Sequence, residues 1–235
     1  GAEVTIGSNL GEYLKITQNL DSSQISEYIS LFWGSMMMGR WTASLSNFKF
    51  KPGIKFLLTI LTPFLAFGVV LFVNNLRGSD VSPLYTYAAC VVVMIGAFFA
   101  AQEKPIRTML LFSLCGGIAM IIGILATGKI ALFAFISGGL FCSVLWPSIF
   151  SLATAGLGKY TNQGSAYLIM MILGGAVVPV IQGSLSDIPS IGIKLSYLVP
   201  LACFGYLFFF GARVKTILKH QGLDFDRDVA MKAGH

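Results

Sequence analysis

Glu3, Asn9, Glu12, Ser143, Trp146 and Gln182 lie inside or at the ends of long apolar runs in this 235-residue chain. Each carries atoms that hydrocarbon cannot satisfy, and ionisable residues placed there are functional hypotheses by default. Together they offer carboxylate, amide and hydroxyl groups and one broad aromatic face. That set suits a neutral polyhydroxylated molecule: the polar atoms meet its hydroxyls and the ring covers its C–H side. At about 100° per residue, Thr5, Ser8, Asn9 and Glu12 share one helical face, a stripe suited to water or a polyol. Glu3 falls on the other side, aligned with Gly7 and Gly11, whose spacing suits close helix contact.

Several of these residues admit two readings. Glu12 is either a solvated carboxylate at the outer interface beside Lys15 or part of the stripe. Glu3 has a buried structural role or contacts substrate. Arg40, which follows Gly39 with Ser35 nearby, is either an inter-helix hydrogen-bond anchor or a gating element. Trp146, on the side of Gly139 and Ser143, is a sugar platform or a packing residue, and Gln182, on the face of Gly175 and Pro179, is packing glue or a ligand contact. Pro147, Gly174, Gly175 and Pro179 disturb their helices and imply a lined cavity rather than an inert anchor. No Ser/His/Asp or Cys/His arrangement falls among the apolar runs, so the chain does not read as an enzyme. Cys90, Cys115, Cys142 and Cys203 read as small buried hydrophobes. His220 and His235 lie outside the runs, and no metal or other cofactor is expected. The run from Gly123 to Ile130 imitates a phosphate loop, but no Ser or Thr follows Lys129 and no strand precedes it.

The elements that carry these residues are membrane-length helices. The chain is 55% hydrophobic and 11% charged, with mean hydropathy +0.78, where a soluble domain carries about 25% charged residues. Its net charge of +6 forms no stripe and accompanies no nucleic-acid-binding motif, so nucleic acid is not an expected partner. Eight apolar segments are expected, at 1–16, 25–48, 54–74, 84–101, 106–127, 130–156, 162–187 and 194–219, each a helix because a backbone in lipid must satisfy itself. The first segment is short and begins abruptly, which implies that the chain starts partway through a helix of a longer protein. Nine Lys and Arg residues on one side (Lys49 and Lys159 among them) against four on the other place the C-terminus in the cytoplasm. The expected division is a membrane unit, 1–220, and a short, frayed polar tail, 221–235.

The runs GAEVTIGSNLGEYL (1–14), WGSMMMGRW (33–41), the stretch from Ser137 to Asp187 containing WPSIFSLA and GGAVVP, and the VKTILKHQGLDFD tail are similar to the fucose:proton symporter family of the major facilitator superfamily, most of all to its glucose/galactose transporter branch. The resemblance covers nearly the whole chain. It implies an all-α integral membrane protein, the C-terminal half of a twelve-helix-type transporter, whose missing N-terminal half is the partner. It also implies a bacterial inner-membrane location and uptake of a sugar such as glucose or galactose by alternating access, with a proton as coupling ion. The family's proton-coupling carboxylates are expected in the absent half. A standard half has six helices, so the eight segments imply an added hairpin within 54–101. An exporter of amphiphilic compounds and a non-transporting scaffold subunit are the alternatives.

Overall fold

The apolar runs become helices, three of them interrupted, that end where the backbone meets a polar or conformational stop. The computed structural model describes residues 1–220, and helices α1 (Ala2–Gln18), α2 (Ser22–Ser44), α3 (Pro52–Leu76), α4 (Ala88–Ala101), α5 (Pro105–Leu125), α6 (Gly128–Cys142), α7 (Leu145–Thr154), α8 (Thr161–Met170), α9 (Gly174–Ser186), α10 (Gly192–Ser196) and α11 (Leu198–His220) follow in order. A 3-10 turn, Ser82–Tyr87, leads into α4, and another, Met171–Leu173, joins α8 to α9. With α6–α7, α8–α9 and α10–α11 each read as one interrupted rod, eight rods result, with no strand among the described residues. Six of them are long and apolar enough to cross a membrane. The 17-residue α1, the segment expected to be short, and the more polar α2 fall short of that measure, so the eight rods stand close to the expected count and six of them meet it.

Local chemistry sets the boundaries. Pro52 and Pro105 open α3 and α5, where a missing N–H costs nothing. The second helix starts three residues earlier than the apolar pattern implies, at Ser22 rather than 25. Asp21 and Gln24 form a capping box, with the Asp21 N–H donating to Gln24 Oε1 at 3.2 Å, so polar residues read as loop form the first turn.

The rod α6–α7 is the centre of the bundle, with every residue from Ala131 to Cys142 buried. Phe133 and Phe135 reach opposite sides of it. Phe133 joins a ring series with Tyr28 and Tyr87, and Phe135 stacks on Tyr197 at 3.8 Å and meets Tyr13 edge-on at 4.9 Å. Lipid tails are as apolar as these side chains, so association rests on close packing and inter-helix hydrogen bonds. Small residues permit it: a Cβ on Gly139 would stand 2.7 Å from the Phe32 carbonyl oxygen, and one on Gly39 would overlap Ser143. Helix α1 lies among α2, α6, α9 and α11.

The pair α3 and α4, covering the 54–101 stretch, sits on the flank of the bundle, with only 22% of the α3 span buried. It is fastened to α2 by polar contacts. Asn74, itself buried, donates to Ser30 Oγ at 3.1 Å, and the Ser35 and Tyr87 hydroxyls lie 2.7 Å apart. Lys55 closes the far end of the hairpin on both oxygens of Glu103, at 2.6 and 2.7 Å. The tail expected at 221–235 lies outside the described residues.

Candidate functional site

Three irregular features meet at one level of the bundle. The first is the only ionic contact of α1 among the described residues: Glu3 Oε2 lies 3.8 Å from Arg40 Nη2 of α2, with side chains 33% and 55% exposed. The second is the interruption between α6 and α7 at Ser143 and Val144. Pro147 explains it, because a proline has no N–H for the carbonyl four residues back and its ring crowds that carbonyl. The chain therefore ends α6 before Ser143 and restarts at Leu145, where Pro147 occupies the tolerant first turn. Ser143 stays buried against Gly39, the neighbour of Arg40, and donates to the Leu140 carbonyl at 2.5 Å. The third is the 3-10 passage from α8 to α9, which brings Gly174 against Gly1 and Gly175 against Val4. Irregular backbone inside a membrane-length rod persists where it is enclosed by protein or lines a cavity.

Further along α1, a buried amide and hydroxyl cluster joins three helices. Gln182 Oε1 accepts from the Thr5 hydroxyl at 2.6 Å and from Asn9 Nδ2 at 3.2 Å. Asn9 Nδ2 also donates to the Thr5 carbonyl at 2.9 Å, and Gln182 Nε2 donates to Ser196 Oγ at 3.2 Å. Ser196 returns its proton to the Ile193 carbonyl at 2.7 Å. Gln182 is thus the hub that holds α1 against α9 and α10. Pro179, one turn before it, lies inside α9.

The expected polar stripe on α1 is divided by this packing. Thr5 and Asn9 turn inward to Gln182, while Ser8 and Glu12 stay exposed, so the four do not form one wetted face. Glu12 lies at the far end of α1, in an open cleft of about 480 Å³ with Gly11, Lys15, Ile16, Ser22 and Ile25. It keeps the company of Lys15 but is remote in sequence and level from Glu3. Trp146 and Pro147 are exposed, whereas Ser143 and Gly139 face α2, so the shared side expected for Gly139, Ser143 and Trp146 is broken by the interruption after Cys142. The Gly7 and Gly11 face does meet α2: a Cβ on Gly7 would stand 2.8 Å from Phe32. The structure therefore gathers Glu3, Arg40 and Ser143 at one level and Asn9 with Gln182 at the next, and leaves Glu12 apart.

Sequence reasoning missed Ser196 and the buried Glu27. The signal for each was present, a polar residue at the edge of an apolar run, but nothing in the linear pattern tells which helix it meets. No cluster of metal-binding side chains occurs among the described residues.

The chain is similar in sequence to known proteins. The chain is 30% identical over 213 residues to the glucose/galactose transporter of Brucella abortus (strain 9-941), covering 90% of this chain and 38% of that protein. It is 32% identical over 216 residues to the putative glucose/galactose transporter of Helicobacter pylori (strain 26695), covering 91% and 40%. Over 115 residues it is 30% identical to the L-fucose-proton symporter of Escherichia coli K12, covering 49% and 26%. No family model and no solved structure matches it. The chain spans about two fifths of the length of the glucose/galactose transporters it matches. It is a homologue of both kinds of sugar transporter, in keeping with the fucose:proton symporter family of the major facilitator superfamily.

Proposed function

We propose that this multi-pass membrane chain, a homologue of bacterial sugar transporters, is the C-terminal helical part of a proton-coupled hexose transporter of the inner membrane. The observation that carries the reading is the relationship to glucose/galactose transporters over nine tenths of the chain. The chemistry of the α1 side agrees with it. Glu3 accepts hydrogen bonds and Arg40 donates them, so a sugar diol placed between them exchanges one long ion-pair contact for two directed hydrogen bonds. Trp146 offers an exposed ring for the C–H face of the sugar. Asn9 reaches the surface only at its edge, Gln182 not at all, and Ser143 is buried. These three act by positioning α1, α2, α6 and α9.

In this reading a hexose such as glucose or galactose binds near mid-membrane, between these helices and the helices of the N-terminal half. Rocking of the two halves then exposes it to either side. The proton couples through residues of that other half, and the C-terminus is cytoplasmic. Glu12 belongs to the mouth of the pathway, and Arg40, Pro147, Gly174, Gly175 and Pro179 belong to the parts that hold or reshape it. The 54–101 hairpin is an addition to a six-helix half.

The test is uptake of radiolabelled galactose by the full-length transporter in proteoliposomes, with and without an inward proton gradient. Saturable uptake that the gradient accelerates is expected, and that Trp146→Ala or Glu3→Gln slows without loss of folded protein. Uptake indifferent to both substitutions removes these two residues from the site. Absence of any sugar uptake, with efflux of amphiphilic dyes instead, favours an exporter.

A further inference from the structure

The end of α11 carries a concentration of positive charge that sugar recognition does not use. Helices α5 and α11 pack antiparallel, with Gly116 against Phe204 and Gly211 against Met109 and Leu110. That register sets Arg107 level with Arg213 and Lys104 level with Thr216. Arg213, Lys215 and Lys219 are exposed, and Lys215, Thr216, Lys219 and His220 line an open cleft of about 480 Å³. No carboxylate pairs with any of these five cations among the described residues; Glu103, the acidic neighbour of Lys104, is held by Lys55. Arg107 gives one N–H to Gln102 Oε1 at 2.6 Å and keeps its other donors. Toward the middle of α11, Tyr206, Phe208 and Phe209 are exposed, and the Arg213 guanidinium stands 5.4 Å from the Phe209 ring centre.

We propose that the α5–α11 end binds, at Lys215 and Lys219, the phosphodiester headgroup of an anionic phospholipid, whose acyl chains lie along the exposed Phe208 side of α11. A basic cluster at the end of a membrane-length helix stands at headgroup level, where each positive charge adds to the attraction of anionic lipid. The lysines and the Thr216 hydroxyl supply donors to phosphate, and Phe208, exposed two turns before Lys215 on the same side of α11, offers apolar surface where a lipid's chains run. A soluble anion would have use for the cations but none for that apolar surface.

Native mass spectrometry of residues 1–235, titrated in detergent with phosphatidylglycerol or phosphatidylcholine, tests this independently of sugar transport. Retention of phosphatidylglycerol about tenfold above phosphatidylcholine is expected. Lys215→Gln with Lys219→Gln weakens the phosphatidylglycerol complex roughly 30-fold, about fivefold per charge, and leaves phosphatidylcholine unchanged. The double arginine variant at the same positions retains the preference, which separates charge from folding. Equal retention of the two lipids overturns the proposal, and so does displacement of bound lipid by glycerol 3-phosphate, which would mark a site for a soluble phosphate. The polar tail holds Asp224, Asp226 and Asp228. If lipid preference arises only when all three are changed to Asn, the tail's own carboxylates occupy the cluster and the proposal fails.

Discussion

Gln182 is the side chain on which most of the candidate site's order depends. Its oxygen serves Thr5 and Asn9 and its nitrogen serves Ser196, so one truncation orphans donors and acceptors on two other helices. Gln182→Leu, close in volume but without the amide, should cost about 1–3 kcal/mol, read as a lower melting temperature in detergent. Thr5→Val removes a single hydroxyl and should cost less, about 0.5–1.5 kcal/mol. If Gln182→Leu melts like the parent, the cluster is dispensable and its positioning role is wrong. Glu3 and Arg40 stand differently. Their pair is 3.8 Å long and Arg40 is 55% exposed, so a double-mutant cycle between Glu3→Gln and Arg40→Gln should give coupling below about 1 kcal/mol. A larger coupling would make the pair a structural lock rather than a contact open to substrate. Glu3, Asn9 and Gln182 were recognisable in sequence as polar residues inside apolar runs. That Asn9 meets Gln182 while Glu12 opens to a cleft between α1 and the start of α2 was not, because Asn9 and Gln182 lie 173 residues apart and the cleft depends on how two helices meet.

Helices α3 and α4 are the elements whose attachment is most open to test. The hairpin leaves most of its surface outward and meets α2 through the Ser35 and Tyr87 hydroxyls and through Asn74. Tyr87→Phe keeps the ring among Phe67 and Phe133 and deletes only the hydroxyl, so about 0.5–1.5 kcal/mol of stability should be lost. The same substitution in a Ser35→Ala background should cost markedly less, since the partner is already gone. The turn before α4 has its own pH dependence. Asp80, outside the apolar rods, is held below its ordinary carboxylate value of 3.8 by hydrogen bonds from the Ser82 side chain and N–H. A lowered folded value means that the turn is stabilised above the ordinary carboxylate range and loses that support as pH falls through the folded value. Amide exchange at Ser82 should accelerate below about pH 4 and become pH-insensitive, apart from its intrinsic rate, in Asp80→Asn.

For the whole molecule, sidedness is the most economical test. Ser79 and Thr161 are separated by α4, α5 and the α6–α7 rod, three crossings, so they belong to opposite faces. Single cysteines at these positions in a cysteine-free background should react with an impermeant maleimide from opposite sides of oriented vesicles. Labelling of both from one side would mean that one of those rods does not cross. The α8–α9 rod has no residue of its apolar window buried, while 78% of the α6–α7 window is. Burial is thus concentrated on the α6–α7 rod and absent from the α8–α9 window.

Composition and pattern determined the solvent of this protein and the number of its rods. Membrane-length apolar runs, punctuated by Asp, Pro and Gly, have one way to satisfy their backbone, and that constraint is written locally. The same local logic places Pro147 next to a helix break. The sequence alone did not determine which faces of α1 are wet. The 100° repeat groups Thr5, Ser8, Asn9 and Glu12, but α9 and α10 cover half of that stripe and leave the other half open. Nor could it determine that Trp146 leaves the side of Ser143, since an interruption in the helix resets the angle between them. Periodicity belongs to one helix at a time. Burial is a relation between helices, and it was decided by where small residues, Gly39 against Ser143 and Gly139 against Phe32, let the rods approach.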